Sequence, residues 1–165
     1  MIGSGKTTIG VPLAREMGLD FYDLDREMDR ELGYSFHKLV QEQGWLAFRE
    51  LEYSICKRFA LIDNALICLG GGTVRYEWNV DVLKGTGLII LLTASLEELI
   101  NRVRIADRPR VNVGITLEED VREIWKKSKD KYFAAADLVY QTDGNSIDDE
   151  VKELKRLIQE RVEHP

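Results

Sequence analysis

The sequence Gly-Ser-Gly-Lys-Thr-Thr at residues 3–8 is the feature that most restricts the fold, because it is the tail of a phosphate-binding loop. The full loop reads G-x-x-x-x-G-K-[ST], and Gly5, Lys6 and Thr7 fill its last three places. Its glycines let backbone N–H groups turn toward phosphate oxygens, and the helix that follows aims its positive end at the same anion. The chain must therefore place a helix directly after this turn. A chance glycine turn before a helix is the alternative if the motif is taken alone.

A buried strand normally precedes such a loop and lies centrally in the sheet. The first glycine of the loop would fall one position before Met1, and this strand is also outside the sequence. Its loss would open the core. We expect either that the native protein starts earlier or that the structure compensates.

Composition narrows the class of protein. A length of 165 residues suits one domain, and a net charge of −6 with a pI near 5.1 argues against a nucleic-acid partner. We find no apolar run long enough to span a membrane and no signal peptide. The two cysteines, Cys56 and Cys68, fit a reducing compartment. We therefore predict a single cytoplasmic domain over residues 1–165, acting as a monomer without a membrane or nucleic-acid partner.

Short apolar strands alternate with helical segments along the chain, which predicts an α/β fold with a parallel sheet. Pro12 falls inside the first helix, where we expect a kink. A polar stretch at about 105–116 predicts a flexible lid. The strands are predicted at 21–23, 65–69, 88–92 and 137–141, and the helices at 6–17, 24–32, 35–42, 45–61, 95–104, 117–135 and 146–162.

Three further clusters carry chemistry. Asp23 and Asp25 lie two apart at a strand end, so both can point into one cleft, although Asp25 alone could also cap a helix. Arg49 and Glu52 lie three apart on a helix and can touch, either in a site or as a surface ion pair. Three consecutive glycines at 70–72 follow an apolar strand and indicate close backbone approach to a ligand.

Taken in order, these motifs resemble the shikimate kinase family over nearly the whole chain. The resemblance implies a three-layer α/β/α fold of the P-loop, nucleoside-monophosphate-kinase type, whose sheet has five strands. It also implies ATP-dependent phosphorylation of the 3-hydroxyl of shikimate, with ATP and Mg²⁺ as cofactors. The residues that carry it are the loop at 3–8, Phe21-Tyr22-Asp23-Leu24-Asp25, Phe48-Arg49-Glu50-Leu51-Glu52, Gly70-Gly71-Gly72, Arg108-Pro109, and Tyr132 with Ala136-Asp137.

The resemblance also implies roles for single residues. Lys6, Asp25 and Arg108 would be catalytic: Lys6 and Arg108 on the phosphates, and Asp25 on the acceptor hydroxyl as its base. Thr7 and Asp23 would hold Mg²⁺. The nucleotide would be bound by Gly3, Ser4, Gly5, Lys6, Thr7, Thr8 and Arg102, and the acceptor by Asp25, Arg49, Gly70, Gly71 and Gly72, with Arg49 on its carboxylate.

One position departs from the family pattern. The family usually has an arginine four residues before the tyrosine equivalent to Tyr132, as a second clamp on the carboxylate, and here the residue is Ser128. Losing one charge-assisted clamp costs about 1.5–3 kcal/mol of binding. Two alternatives therefore stay open: a related small-molecule kinase, such as one acting on gluconate, and a ligand-binding or regulatory module without turnover.

Overall fold

The structure is a computed structural model that describes residues 1–105, 114–142 and 144–163. Helices and strands alternate through most of these ranges. The strands are β1 (Asp20–Asp23), β2 (Ala65–Cys68), β3 (Ile90–Thr93) and β4 (Leu138–Gln141). The helices are α1 (Lys6–Met17), α2 (Leu24–Leu32), α3 (Phe36–Phe59), α4 (Glu77–Leu83), α5 (Leu96–Ile105), α6 (Leu117–Ala135) and α7 (Ile147–Glu163), with a 3-10 turn at Thr73–Arg75.

Glycines set several helix boundaries. Helix α1 starts after Gly5 (φ 85°), ends at Gly18 (φ 68°) and continues as one helix through Pro12. Helix α3 contains Gly44 at φ 82° and ψ 176°, so the helices predicted at 35–42 and 45–61 are two arms of one element around that residue.

The 3-10 turn and α4 were not predicted, because three and seven residues are too short to show a helical period.

The strands form two parallel pairs. Strand β1 pairs with β2 from Asp20↔Ala65 to Asp23↔Cys68, and β3 pairs with β4 from Ile90↔Leu138 to Thr93↔Gln141. Within each parallel pair the carboxyl ends lie at one edge, which is where ligands bind in open α/β sheets. Parallel pairing of all four described strands confirms the α/β fold class predicted from the sequence.

Alternate residues of the strands face two different helix layers. Leu66 of β2 and Leu92 of β3 pack in a cluster with α1 and α7. Ile67 of β2 packs with α2 and α3, and Leu91 of β3 packs with α5 and α6. Helices therefore cover both faces of the strands, which gives the three layers expected of an α/β/α domain.

A cavity of about 320 Å³ separates the two strand pairs. Strands β2 and β3 border it from opposite sides without pairing to each other. Its lining is mostly apolar and includes Met1, Ile9 and Leu13. The two strand pairs are therefore separated by an open, mostly apolar space.

Neither cysteine belongs to a reactive site in the described part of the chain. Cys56 and Cys68 are buried and unpaired with each other, and burial raises the pKa of each thiol to about 12. Both act as small buried side chains. Among the helices in the described ranges, none combines the length and the apolar character that a bilayer crossing requires.

The lid predicted at about 105–116 cannot be compared with the structure. Most of it, including Arg108 and Pro109, lies outside the described residues. The predicted catalytic role of Arg108 therefore stays a prediction.

Candidate active site

The glycine turn before α1 has the geometry of an anion-binding loop. Gly3 (φ 76°) and Gly5 (φ 85°) both adopt left-handed backbone conformations. A Cβ on Gly3 would also lie 2.9 Å from Val103 Cγ2, so a larger residue has no room. The hydroxyl of Ser4, which is fully buried, donates to the Met1 carbonyl at 2.8 Å. These contacts fix the conformation of the turn and, with it, the direction of the N-terminus of α1.

Lys6 extends back over this turn from the first position of α1. Its Nζ donates a hydrogen bond to the carbonyl oxygen of Met1 at 2.8 Å, and the side chain is half-buried. The ammonium is thereby held next to the N-terminus of α1, and both are positive. Together, the Lys6 ammonium and the N-terminus of α1 attract phosphate oxygens strongly. Thr8, in contrast, is exposed on α1.

Asp23 links the phosphate loop to the start of α2. Its Oδ2 accepts a hydrogen bond from the Thr7 hydroxyl at 3.3 Å, and its Oδ1 accepts one from the Asp25 amide at 3.1 Å. Asp23 is therefore the N-cap of α2, and the idea that Asp25 is a helix cap is wrong. The Asp25 carboxylate is left available for another role.

Asp25 has an environment that suits a proton acceptor. Burial, and next the neighbouring carboxylate of Asp23, raise the pKa of Asp25 from 3.8 to about 6, while Lys6 opposes the shift. A carboxylate with this pKa is mostly ionised at neutral pH but takes up a proton more readily than an ordinary aspartate. Its position beside both Asp23 and Lys6 joins the phosphate loop to the rest of the site.

Arg49 and Glu52 form a buried pair, so the surface ion pair that we held open as an alternative is wrong. Arg49 is 9% exposed and Glu52 is 2% exposed, and Arg49 Nη1 lies 2.7 Å from Glu52 Oε2. Glu52 also accepts hydrogen bonds from Thr73 at 2.9 Å and Asn79 at 3.1 Å. The carboxylate is thus saturated by three donors and fixes the direction of the guanidinium.

Three aromatic rings surround the Arg49 guanidinium. Its Cζ lies 4.5 Å from the ring centroid of Tyr76, 4.7 Å from that of Phe48 and 5.5 Å from that of Trp45. Each contact is within the range of a cation–π interaction. Sequence reasoning gave Tyr76 no role. Trp45 is 51% exposed, and its ring packs against Arg49.

We expect Glu52→Gln to lower the free energy of unfolding by about 2 kcal/mol, because it weakens hydrogen bonds made to a buried carboxylate and leaves Arg49 without its counter-charge. Urea denaturation of the variant and the parent measures this loss. Glu42→Gln is the matched control, since the ion pair of Glu42 with Lys38, at 3.7 Å, is exposed. Equal stability of all three proteins would contradict the expectation.

The three glycines make room for site side chains. A Cβ on Gly70 would lie 2.6 Å from Asp25 Oδ1, and one on Gly72 would lie 3.2 Å from Arg49 Nη2 and 2.8 Å from Arg75 Nη2. The middle carbonyl, that of Gly71, accepts a hydrogen bond from the Tyr132 hydroxyl at 2.6 Å. The first and third glycines therefore let the backbone pass close to Asp25 and to two arginines.

We expect Gly70→Ala to lower kcat/KM by about ten- to a hundredfold, because the new Cβ would displace the Asp25 carboxylate. Gly87→Ala is the matched control, since a Cβ at Gly87 would meet no atom of the described residues within 4 Å. Steady-state kinetics of the two variants make the comparison. An equal kcat/KM in Gly70→Ala and Gly87→Ala would show that the close approach to Asp25 is unimportant.

Arg102 lies on the other side of the loop, near the end of β4. Its Nε donates to Glu98 at 2.7 Å, and its other nitrogens donate to the hydroxyl and carbonyl of Thr142 at 2.8 and 2.7 Å. The guanidinium is therefore fixed between α5 and the segment after β4.

The structure thus connects most of the predicted site residues. Lys6, Thr7 and Asp23 lie at the glycine turn. The Asp25 carboxylate lies next to Gly70, and the Arg49 guanidinium lies next to Gly72. Arg75 and Tyr76 are additions that the sequence did not suggest. The result is a row of groups that runs from the glycine turn with Lys6, through the carboxylate of Asp25, to the guanidinium of Arg49.

A family model described as shikimate kinase matches residues 2–159 of this chain. Curated relatives agree with that match. The shikimate kinase of Clostridium botulinum (strain Eklund 17B / Type B) is 33% identical over 158 residues, which cover 96% of this chain and 93% of the relative. That of Chlorobium luteolum is 35% identical over 168 residues, covering 97% of this chain and 83% of the relative.

Solved structures give the same result. Shikimate kinase from Acinetobacter baumannii in complex with shikimate superposes with a TM-score of 0.88 at 26% sequence identity, covering 97% of this chain and 89% of that one. Shikimate kinase from Bacteroides thetaiotaomicron gives a TM-score of 0.85 at 26% identity. The three-layer P-loop kinase fold predicted from the sequence is confirmed by these likenesses.

Proposed function

Because this chain belongs to the shikimate kinase family, we propose that it transfers the γ-phosphoryl group of ATP to the 3-hydroxyl of shikimate, giving shikimate 3-phosphate. The observation that carries this proposal is the single row of groups from Lys6 through Asp25 to Arg49. It offers a phosphate site, a proton acceptor and a carboxylate site in the order that such a transfer requires.

The nucleotide end of the row would hold ATP, the phosphoryl donor of this enzyme family. Backbone N–H groups of the turn from Gly3 to Thr8 and the Lys6 ammonium would bind the β- and γ-phosphates. We propose that Arg102, fixed by Glu98 and Thr142, borders the adenine. We also propose that Arg108 closes over the phosphates and stabilises charge in the transition state.

A magnesium ion fits the donor set beside the loop. The Thr7 hydroxyl and the Asp23 carboxylate lie 3.3 Å apart and are hard oxygen ligands of the kind that Mg²⁺ prefers. Mg²⁺ is commonly held by one or two protein oxygen ligands together with the phosphates of a bound nucleotide. When bound, the ion would neutralise charge on the phosphates.

The acceptor end would bind the polyhydroxy acid between Asp25 and Arg49. Arg49 Nη2 faces the space beside Gly72, and a planar guanidinium suits a carboxylate because it can donate two parallel hydrogen bonds. We propose that Asp25 accepts the proton of the hydroxyl that attacks the phosphorus. The backbone at Gly70, Gly71 and Gly72 would form the floor of the acceptor site.

A coupled assay of ADP release tests the proposal with shikimate and with gluconate as alternative acceptors. The proposal requires turnover with shikimate that clearly exceeds turnover with gluconate. Preference for gluconate would favour the related small-molecule kinase that the sequence left open. Tight binding of shikimate without ADP release would favour the regulatory module.

We further propose that the enzyme acts as a monomer in the cytoplasm. The groups of the row described above are brought together by contacts within the chain. Two buried thiols suit a reducing compartment. Light scattering after size-exclusion chromatography would test the monomer.

A further inference from the structure

Arg75 lies beside Arg49 at the acceptor end of the site. Its Nη2 is 2.8 Å from the position that a Cβ on Gly72 would occupy, and Arg49 Nη2 and Nη1 are 3.2 and 3.3 Å from the same position. The two guanidinium groups, from α3 and from the 3-10 turn, therefore converge on one side of Gly72.

Among the described residues, one of these two cations has a carboxylate partner and the other has none. Glu52 pairs with Arg49 at 2.7 Å, whereas Arg75 forms no ion pair within residues 1–105, 114–142 and 144–163. The Nε atoms of both arginines are buried and have no hydrogen-bond partner. Two like charges held close together repel each other, and an anion placed between them would remove that cost.

Arg75 also faces the part of α6 where the family pattern would place an arginine. Ser128 is 1% exposed and lies one turn before Tyr132 on that helix. Burial raises the pKa of Tyr132, while Arg75 and then Ser128 beside it lower that pKa. Lys131 Nζ donates to the Arg75 carbonyl at 2.8 Å and holds the 3-10 turn against α6.

We propose that Arg75 is the second guanidinium that binds the acceptor carboxylate, in place of a residue at position 128. This inference rests on the proposed function and adds a binding residue to it. The carboxylate would lie between Arg49 and Arg75 beside Gly72, with the short side chain of Ser128 leaving space for Arg75. The arrangement makes an anionic group on the acceptor a strict requirement of this site.

Arg75→Met tests the proposal, because methionine keeps an apolar stem but removes the charge and the five donors. We expect the KM for shikimate to rise about ten- to a hundredfold, with an equal loss of affinity by calorimetry. The KM for ATP and the melting temperature should stay unchanged. Arg30→Met is the matched control, since Arg30 is exposed and pairs only with Glu27 in the described structure.

Two further measurements separate binding from a structural role. The methyl ester of shikimate should bind the parent enzyme poorly, and Arg75→Met should lose little more with this ester. Arg75→Met combined with Ser128→Arg should recover most of the lost shikimate affinity, since the charge returns from α6. Recovery supports the proposal, whereas an equal loss with acid and ester would overturn it.

The outcomes also distinguish this inference from the proposed function. A parent enzyme that phosphorylates shikimate, with a KM unaffected by Arg75→Met, would overturn the role of Arg75 alone. A parent that neither phosphorylates nor binds shikimate would overturn both proposals.

Discussion

Lys6→Ala should lower kcat by about a thousandfold while the protein stays folded. The ammonium stands at the N-terminus of α1, where charge on the transferred phosphoryl group would have to be neutralised. Removing it leaves the Met1 carbonyl with its hydrogen bond from Ser4. We therefore expect the free energy of unfolding to change by only about 1 kcal/mol.

Rapid-quench kinetics with saturating ATP and shikimate measure the rate of transfer, and thermal unfolding measures the fold. Lys38→Ala is the matched control, because Lys38 is exposed on α3 and pairs with Glu42 in the described structure. Transfer by Lys6→Ala at the parent rate would remove Lys6 from the mechanism. Loss of cooperative unfolding would instead show that the lysine is needed for the fold.

The sequence predicted the parts of this site that follow local rules. The turn at residues 3–8 follows a fixed spacing, Asp23 and Asp25 lie two apart at a strand end, and Arg49 and Glu52 lie one helical turn apart. Each of these patterns is set by the geometry of one element. Strands β2, β3 and β4 were predicted for a similar reason, because each contains a continuous apolar run.

The groups that the sequence did not predict depend on contacts between elements. Arg75 lies on a turn of three residues, and its approach to Arg49 depends on how α3 and α6 pack around that turn. Trp45 belongs to none of the motifs, yet its half-exposed ring lies 5.5 Å from the Arg49 guanidinium. Periodicity carries no information about such contacts.

The burial of Glu52 is a second feature that sequence spacing does not predict. Its spacing from Arg49 predicts contact but not whether the pair is exposed. The other two donors to the Glu52 carboxylate are Thr73 and Asn79, which lie 21 and 27 residues further along the chain. The burial of Glu52 therefore depends on contacts between distant segments. The three-dimensional structure was needed to assign the pair to the site.

Asp25→Asn should lower the transfer rate by about a hundred- to ten-thousandfold, because asparagine has nearly the same shape but cannot accept the proton of the acceptor hydroxyl. The parent should also lose kcat/KM as the pH falls below about 6, since burial raises the pKa of Asp25 to about that value. In the variant this acidic limb should disappear. A pH–rate profile of both proteins between pH 5 and 8 would measure the difference.

The same substitution should make the protein more stable at neutral pH. The pKa of Asp25 is about 6 in the folded chain and 3.8 in the unfolded chain, so the folded state holds the proton more tightly. The contribution of Asp25 to stability is therefore fully present below pH 3.8 and is lost as the pH rises through 6. Asparagine carries no charge, and we expect it to add up to about 3 kcal/mol above pH 7.

Denaturant unfolding at pH 4 and at pH 7.5 separates this effect from a change in packing. The gain of Asp25→Asn over the parent should be present at pH 7.5 and nearly absent at pH 4, where both side chains are neutral. Asp81→Asn is the control, because Asp81 is exposed on α4 and its substitution should give a stability change that does not depend on pH. A gain that is equal at both pH values would mean that ionising Asp25 costs no extra free energy in the folded protein. The assignment of Asp25 as a base with a raised pKa would then fail.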